Sequence, residues 1–319
     1  MKISSQTLGK IVFTCILGLQ IGGTAEARNI NKVVYGQDNR QEVATYANLQ
    51  FRERALSVAG KVRKFRLGPS PIGADFLDFP HVTLERSANV CSNERFAEQL
   101  TLPHCTGFLV APDVLMTAGH CMENDLDCET SSWIFDFVPE TTFLEKKNVY
   151  GCKEIIKQEL VSSWYKLRDY AIIRLDRPVT NERHPLTLRS EGKVKIGTRT
   201  VVIGHPSGLP LKIADNAKVR PFNWVELITP IRTMIRKQTY FIMDSDTFAG
   251  NSGSPVFNEN SGEVEGILIQ GANDYVTDMA AGCIRPAYRG KTTWTAIEKA
   301  FRVTKIPNLK KLIESDVTK

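Results

Sequence analysis

What this sequence lacks narrows it first. Its apolar run near the start, "IVFTCILGL" at 11–19, is under half the length that a bilayer-spanning helix needs. No internal repeat or low-complexity tract occurs, which excludes solenoid and fibrous architectures. Charge of one sign is also scarce: 41 Lys and Arg against 35 Asp and Glu leave +6. Such mild basicity is no electrostatic footprint for nucleic acid, so no nucleic-acid partner is expected. The short clusters "RKFR" at 63–66 and "RTMIRK" at 232–237 read as solvated faces or processing sites. Only five histidines are present, and none shares zinc-site spacing with cysteine. The acidic stretch around Glu123, Asp125, Asp127 and Glu129 lacks the glycine and spacing of a calcium hand, and reads as a solvated acidic loop. No metal or other cofactor is expected.

What remains is an ordinary globular composition, 42% hydrophobic and 24% charged over 319 residues, enough for a sizeable core. Residues 1–27 stand apart from that core. Lys2 and Lys10 precede the apolar run, and Ala25 and Ala27 supply the small residues a signal peptidase needs, so a cleaved leader and export are expected. Without those residues the charge is 39 − 34 = +5, since Lys2, Lys10 and Glu26 leave with them. Seven cysteines less Cys15 of the leader give six, an even number in an oxidising compartment, so disulfides are expected. After leader removal no stable membrane association is expected, and the chain reads as a monomer, periplasmic or extracellular.

Along the chain, turn signals such as "GPSPIG", "APD", "GHPSG" and "NENSGE" separate short runs rich in Val, Ile, Phe and Thr. These runs include "TGFLV", "VLMTA", "WIFDFV", "DYAIIRL", "TRTVVIG", "TYFIMD", "SPVF" and "EVEGILIQG". Many short strands with tight turns predict an all-β sandwich or barrel. Helical spacing is confined to the end, in "TWTAIEKAFRV" and "PNLKKLIE". Residues 28–75 are polar and basic and read as an N-terminal extension or propeptide.

Three places carry chemistry. In "HCTGFLVAPDVLMTAGHC", Cys105 and Cys121 stand sixteen apart on two short strands, with His120 beside the second. A disulfide there would close the hairpin, contribute roughly 3 kcal/mol, and hold the backbone of the imidazole. The other histidines, His81, His104, His184 and His205, read as structural or exposed. Asp169 opens the apolar strand "DYAIIRL", 49 residues after His120. Buried beside an imidazole, it would accept the ring N–H, fix the tautomer and stabilise the imidazolium. In "DTFAGNSGSPVFN" at 246–258, Gly250 and Gly253 let the chain bend sharply around Ser252. The N–H groups of Gly250 and Ser252 could then converge on the negative charge that acyl transfer develops on oxygen.

"TAGHC", "DYAII" and "GNSGSP", in that order, resemble the trypsin/chymotrypsin-like serine proteases, in particular the bacterial branch that contains the glutamyl endopeptidases. The resemblance is broadest from Cys105 to Gly282. It implies two orthogonally packed six-stranded antiparallel β-barrels with a C-terminal α-helix. It also implies His120 as general base, Asp169 as its orienting carboxylate, Ser252 as nucleophile, and Gly250 with Ser252 as the oxyanion hole. The expected organisation is a first barrel over 76–185 holding His120 and Asp169, a second over 186–305 holding Ser252 and ending in the helix, and a tail over 306–319. "VVYGQDNRQEV" at 33–43 resembles the segment near the mature N-terminus of some members. Polypeptides are the expected substrates. A catalytically silent scaffold with its cleft obstructed by 28–75, or an esterase on the same fold, are the alternatives. The α/β-hydrolases are disfavoured because their triad runs serine, acid, histidine.

Two departures matter. Trypsin has an aspartate before the nucleophile that pairs with a newly released amine; Asn251 carries no charge, so that activation switch is absent. Asp246, six before Ser252, stands where trypsin places the carboxylate that grips lysine or arginine, and suggests cleavage after basic residues. Leu268 stands where the glutamyl endopeptidases use a histidine, which removes the main support for glutamate. Thr247, Ile269, Gln270, Gly271 and Gly282 are the other expected substrate-binding residues, with 269–271 pairing to substrate backbone as an added strand. The four remaining cysteines allow three connectivities; Cys128 with Cys152 and Cys91 with Cys283 is the pairing expected.

Overall fold

Successive residues on a strand point to opposite faces, and where both faces are buried, as over Cys105–Ala111 and Val114–Thr117, the strand reads as a nearly continuous apolar run. The computed structural model describes residues 34–163, 167–180, 182–221, 238–271, 273–289 and 298–314; the expected leader over 1–27 and the "RTMIRK" cluster lie outside them. Strands β1 (Val58–Arg63), β2 (Cys105–Ala111), β3 (Val114–Thr117), β4 (Ser131–Ile134), β5 (Val149–Ser162) and β6 (Leu167–Leu175) close into a barrel in the order β5-β6-β3-β2-β1-β4. Strands β7 (Arg199–Gly204), β8 (Lys212–Arg220), β9 (Tyr240–Met243), β10 (Pro255–Asn258), β11 (Val264–Gln270) and β12 (Glu298–Arg302) form a second ring, β7-β10-β11-β12-β9-β8, with β8 pairing back onto β7. All pairings within the two rings are antiparallel. The fold is thus two six-stranded antiparallel barrels.

Alternation distributes the core into three layers. Leu109, Leu115 and Ile173 fill the first barrel with Trp133, Phe135 and Tyr150. Val202, Val256, Leu268 and Ala300 fill the second with Phe241 and Met243. Their sequence neighbours Phe108, Met116, Ile172, Val201, Phe257, Ile267, Ile269 and Phe301 face the other way and form the layer between the barrels. Tyr170, next to Asp169, stacks on Phe301 across that layer at 5.1 Å between ring centres. A short helix, Leu309–Glu314, lays Leu309, Leu312 and Ile313 on the same layer.

Several expectations need correction. Val58–Arg63, inside the expected extension, is a strand of the first barrel, which therefore begins well before residue 76. Its basic residues misled: Lys61 is 2% exposed, bonded to the Cys121 carbonyl and 3.5 Å from the Asp127 carboxylate, so its charge is paired rather than solvated. Arg40–Glu42 likewise pairs with Lys212–Ala214 of β8, so this stretch is built into the body. Glu298–Arg302 of the expected helix "TWTAIEKAFRV" is a strand paired on both sides, because Ala300 and Phe301 must serve opposite faces. The helical spacing of "PNLKKLIE" does form a helix, Leu309–Glu314, but in the expected tail and not at the end of the second barrel's expected span. The stretch expected as a solvated acidic loop includes a helical turn over Asp125–Thr130, started by the Asn124 side chain accepting from the Asp127 N–H.

The six cysteines form three disulfides: Cys105–Cys121 across the β2–β3 hairpin, Cys128–Cys152 between the Asp125–Thr130 helix and β5, and Cys91–Cys283 over 192 residues of chain. Such bonds persist in oxidising compartments. Among the described residues no helix is long and apolar enough to cross a membrane.

Candidate active site

Asp169 sits at the start of β6 and is 6% exposed. One of its oxygens accepts the backbone N–H of His120 at 3.0 Å and the other lies 2.7 Å from His120 Nδ1. A carboxylate accepts only, so Nδ1 carries the hydrogen and Nε2 is left as the basic nitrogen. His120 itself lies in the tight turn Gly119–Cys121 after β3, its side chain 32% exposed. Gly119 makes this approach possible: a Cβ there would stand 2.4 Å from the Glu159 carbonyl oxygen and 3.1 Å from Asp169 Oδ1.

The serine bend is fastened to the histidine turn across the barrel junction. Thr106 of β2 donates its N–H to the Ser252 carbonyl at 2.8 Å and its hydroxyl to the Gly250 carbonyl at 2.8 Å. The sulfur of Cys121 lies 3.7 Å from the same Ser252 carbonyl, so the residue after His120 touches the backbone of Ser252 itself. On the other side the Gly253 N–H donates to the Leu268 carbonyl at 2.7 Å. Gly250 takes φ +95°, which its lack of a Cβ permits, and a Cβ there would meet the His205 carbonyl oxygen at 2.3 Å. With these bonds made, the N–H groups of Gly250 and Ser252 donate to no protein acceptor among the described residues. Two free donors on one bend are what an oxyanion requires. Asn251, 3% exposed, forms no ion pair among the described residues; its N–H donates to the Phe248 carbonyl at 3.0 Å and its Oδ1 accepts from Ser254 Oγ at 3.4 Å.

Beside Ser252 lies a cavity of about 200 Å³ lined by Thr247, Phe248, Ala249, Leu268, Gln270, Gly271, Asp274 and Glu298. A larger one of about 1090 Å³, between Leu186, Leu188 and the C-terminal helix, is lined by none of His120, Asp169 and Ser252. Of the expected substrate-binding residues, Thr247, Gln270 and Gly271 line the small cavity. Ile269 does not; as the odd residue of β11 it is buried in the layer between the barrels. Gly282 does not either, closing an exposed hairpin turn in which its N–H donates to the Asp278 carbonyl at 2.9 Å.

Asp246 is the largest correction. It is 1% exposed and absent from the cavity wall, because its carboxylate is taken up by the chain's own N-terminal part. Oδ1 accepts the Tyr35 N–H and Oδ2 the Asn39 N–H, both at 2.8 Å. Burial outweighs these donors and pushes its pKa up to about 6. The acidic groups that do line the cavity were not singled out in the sequence. Glu298 is fully buried and accepts from the Thr247 hydroxyl at 2.6 Å. Asp274 accepts the Ala249 N–H at 2.6 Å, and burial raises its pKa to about 6. No motif marks either residue; only the strand register of β12 brings Glu298 here.

A family model described as trypsin matches residues 89–286. Glutamyl endopeptidase of Bacillus licheniformis is 27% identical over 164 residues, which is 49% of this chain and 46% of that protein, so the chain aligns with under half of that relative's length. Among solved structures, a Glu endopeptidase in complex with MPD has 18% identity, coverage of 89% of this chain and 98% of its own, and a TM-score of 0.47. Kallikrein-related peptidase 10 has 16% identity, coverage of 64% and 85%, and a TM-score of 0.42.

Proposed function

The chain belongs to the trypsin family, whose model spans more than half of it, and we propose from this premise that it is a secreted serine endopeptidase acting through an acyl-enzyme on Ser252. The observation that carries the reading is the joint geometry: a histidine held by a buried carboxylate at 2.7 Å, on a turn that touches the backbone of a serine flanked by two free N–H donors. His120 Nε2 takes the Ser252 proton as Oγ attacks the scissile carbonyl. The carbonyl oxygen, now negative, is received by the Gly250 and Ser252 N–H groups. His120 returns the proton to the leaving amine, and a water activated by the same nitrogen hydrolyses the ester. Asp169 stabilises the imidazolium throughout. Export is supported by the three disulfides together with the expected leader.

Cleavage after basic side chains remains the preferred specificity, with a different carboxylate behind it. Glu298 and Asp274 line the cavity beside Ser252. Two acids in one wall attract a lysine or arginine side chain and repel the glutamate that the name of the Bacillus relative implies. The test has two steps. Mature protein treated with a serine-directed organophosphonate should gain the adduct mass on Ser252, and Ser252→Ala should not. A denatured peptide library should then be cut after Lys and Arg. Absence of labelling would refute the enzyme reading, and cleavage after Glu would refute the specificity.

A further inference from the structure

The contacts that remove Asp246 from the substrate cavity give it another task. Val34–Glu42 runs across the second barrel: Val34 donates its N–H to the Ala287 carbonyl at 2.9 Å, and Arg40–Glu42 adds a short strand to β8. Between these anchors the segment meets the stretch that leads into the nucleophile at two points. The Tyr35 and Asn39 N–H groups occupy both oxygens of Asp246. The Arg40 guanidinium, 1% exposed and paired with Asp38 at 2.7 Å, lies 3.8 Å over the ring of Phe248, which also packs on the fully buried Val34. Arg95 holds the segment from outside by donating to the Asp38 and Arg40 carbonyls at 2.6 and 2.7 Å. The Phe248 carbonyl in turn accepts the Asn251 N–H, which lies between the two free N–H donors of Gly250 and Ser252, closing the turn that contains Gly250.

We propose that residues 34–42 form an in-chain strap that holds the nucleophile bend in its working shape, with Asp246 as the positioning residue that fastens it. The proposal rests on the endopeptidase reading and adds how the bend is ordered. In this arrangement the donors to Asp246 are internal backbone N–H groups rather than a chain terminus. Cleavage anywhere before residue 34 therefore leaves the fastening intact, and the site needs no newly released amine. Loss of the strap itself would free Asp246, Phe248 and, through Phe248, the Gly250 turn.

The test uses the full mature chain and two variants, Asp246→Asn and Arg40→Met. The Asn amide turns its NH₂ toward one of the two N–H donors, so one bond is lost and a donor faces a donor. Two readouts are taken: the rate of organophosphonate labelling of Ser252, and amide hydrogen exchange across 246–254 compared with β6. Asp246→Asn should label about 100-fold more slowly, the usual consequence of misplacing an oxyanion donor, with 248–252 exchanging faster and β6 unchanged. Arg40→Met should shift both in the same direction and by less. Wild-type labelling and exchange in Asp246→Asn would overturn the proposal. So would loss of protection throughout both barrels, since Asp246 would then serve the fold as a whole. If wild-type protein itself does not label, the enzyme reading fails, while the exchange arm still decides whether the strap orders the bend.

Discussion

His205 makes acid the sharpest probe of the surroundings of Ser252. It is 1% exposed; its Nδ1 lies 2.9 Å from the Leu209 carbonyl oxygen, and its backbone N–H donates to the Thr106 hydroxyl at 3.1 Å. That hydroxyl is the one that holds the Gly250 carbonyl. The second ring nitrogen, Nε2, is buried with no partner among the described residues, so a proton there would create a charge with nothing to receive it. Burial accordingly lowers the His205 pKa from 6.5 to about 4. Because the folded pKa is depressed, the unfolded chain binds the extra proton between pH 6.5 and 4, and stability must fall as pH falls through that window. Relative to pH 7 the loss is about 2 kcal/mol at pH 5 and about 3 kcal/mol at pH 4. Against a typical total of about 5–15 kcal/mol, this is readily measured. Asp246 and Asp274 act in the opposite sense: their folded pKa values are raised to about 6, so they favour the folded state as pH drops from 6 toward 4. Urea unfolding of wild type alone would mix the two signs. The assay is therefore the difference between wild type and His205→Asn, whose amide nitrogen can still donate to the Leu209 carbonyl but does not titrate. The variant should be less stable at pH 7 by a constant packing cost, and the gap should close by about 3 kcal/mol on going to pH 4. Parallel curves for the two proteins would refute the reasoning.

Glu298→Gln keeps the bond from Thr247 and removes a charge from the cavity; cleavage after Lys and Arg should fall at least about 10-fold while an ester lacking a basic group is turned over as before. Unchanged preference would remove Glu298 from specificity. Gly119→Ala drives a methyl to 2.4 Å from the Glu159 carbonyl oxygen and must separate His120 from Asp169; kcat should fall at least about 100-fold, and a variant with wild-type kcat would show that the close approach is dispensable. Replacing Cys91 and Cys283 by alanine opens a loop of 192 residues, for which chain entropy gives roughly 5 kcal/mol of lost stability in urea unfolding. A loss below about 1 kcal/mol would mean that the unfolded chain is not constrained by the bond.

His120, Asp169 and Ser252 could be picked out in the sequence because "TAGHC", "DYAII" and "GNSGSP" occur together and in that order, although each alone has a plain structural reading. "TAGHC" needs its glycine where the His120 turn meets β6, and "GNSGSP" needs Gly250 where the backbone passes the His205 carbonyl oxygen. Residues whose role depends on a distant partner were not readable. Nothing in "DTFAG" says that Asp246 will meet the amides of Tyr35 and Asn39, more than 200 positions away. Glu298 was lost for a related reason. Its spacing to Ala300 and Phe301 suits a helix as well as a strand, and only pairing with both β9 and β11 decides the matter. Val58–Arg63 escaped notice because a paired lysine looks the same in a sequence as a solvated one.

That asymmetry follows from how the site is divided. His120 and Asp169 belong to one barrel and Ser252 to the other, so their alignment depends on the layer between, where Tyr170 stacks on Phe301 and Phe108 and Met116 share one cluster with Phe257 and Ile267. Truncating any of these would leave a cavity worth about 2–5 kcal/mol, and beside the site the halves are also bonded directly, where Thr106 and Cys121 meet Gly250 and Ser252. The strap works from the opposite side, holding Asp246 and Phe248 while Thr106 holds Gly250 and Ser252. The bend is thus gripped from both ends, and the Gly250 and Ser252 amides are the part left without a protein acceptor among the described residues.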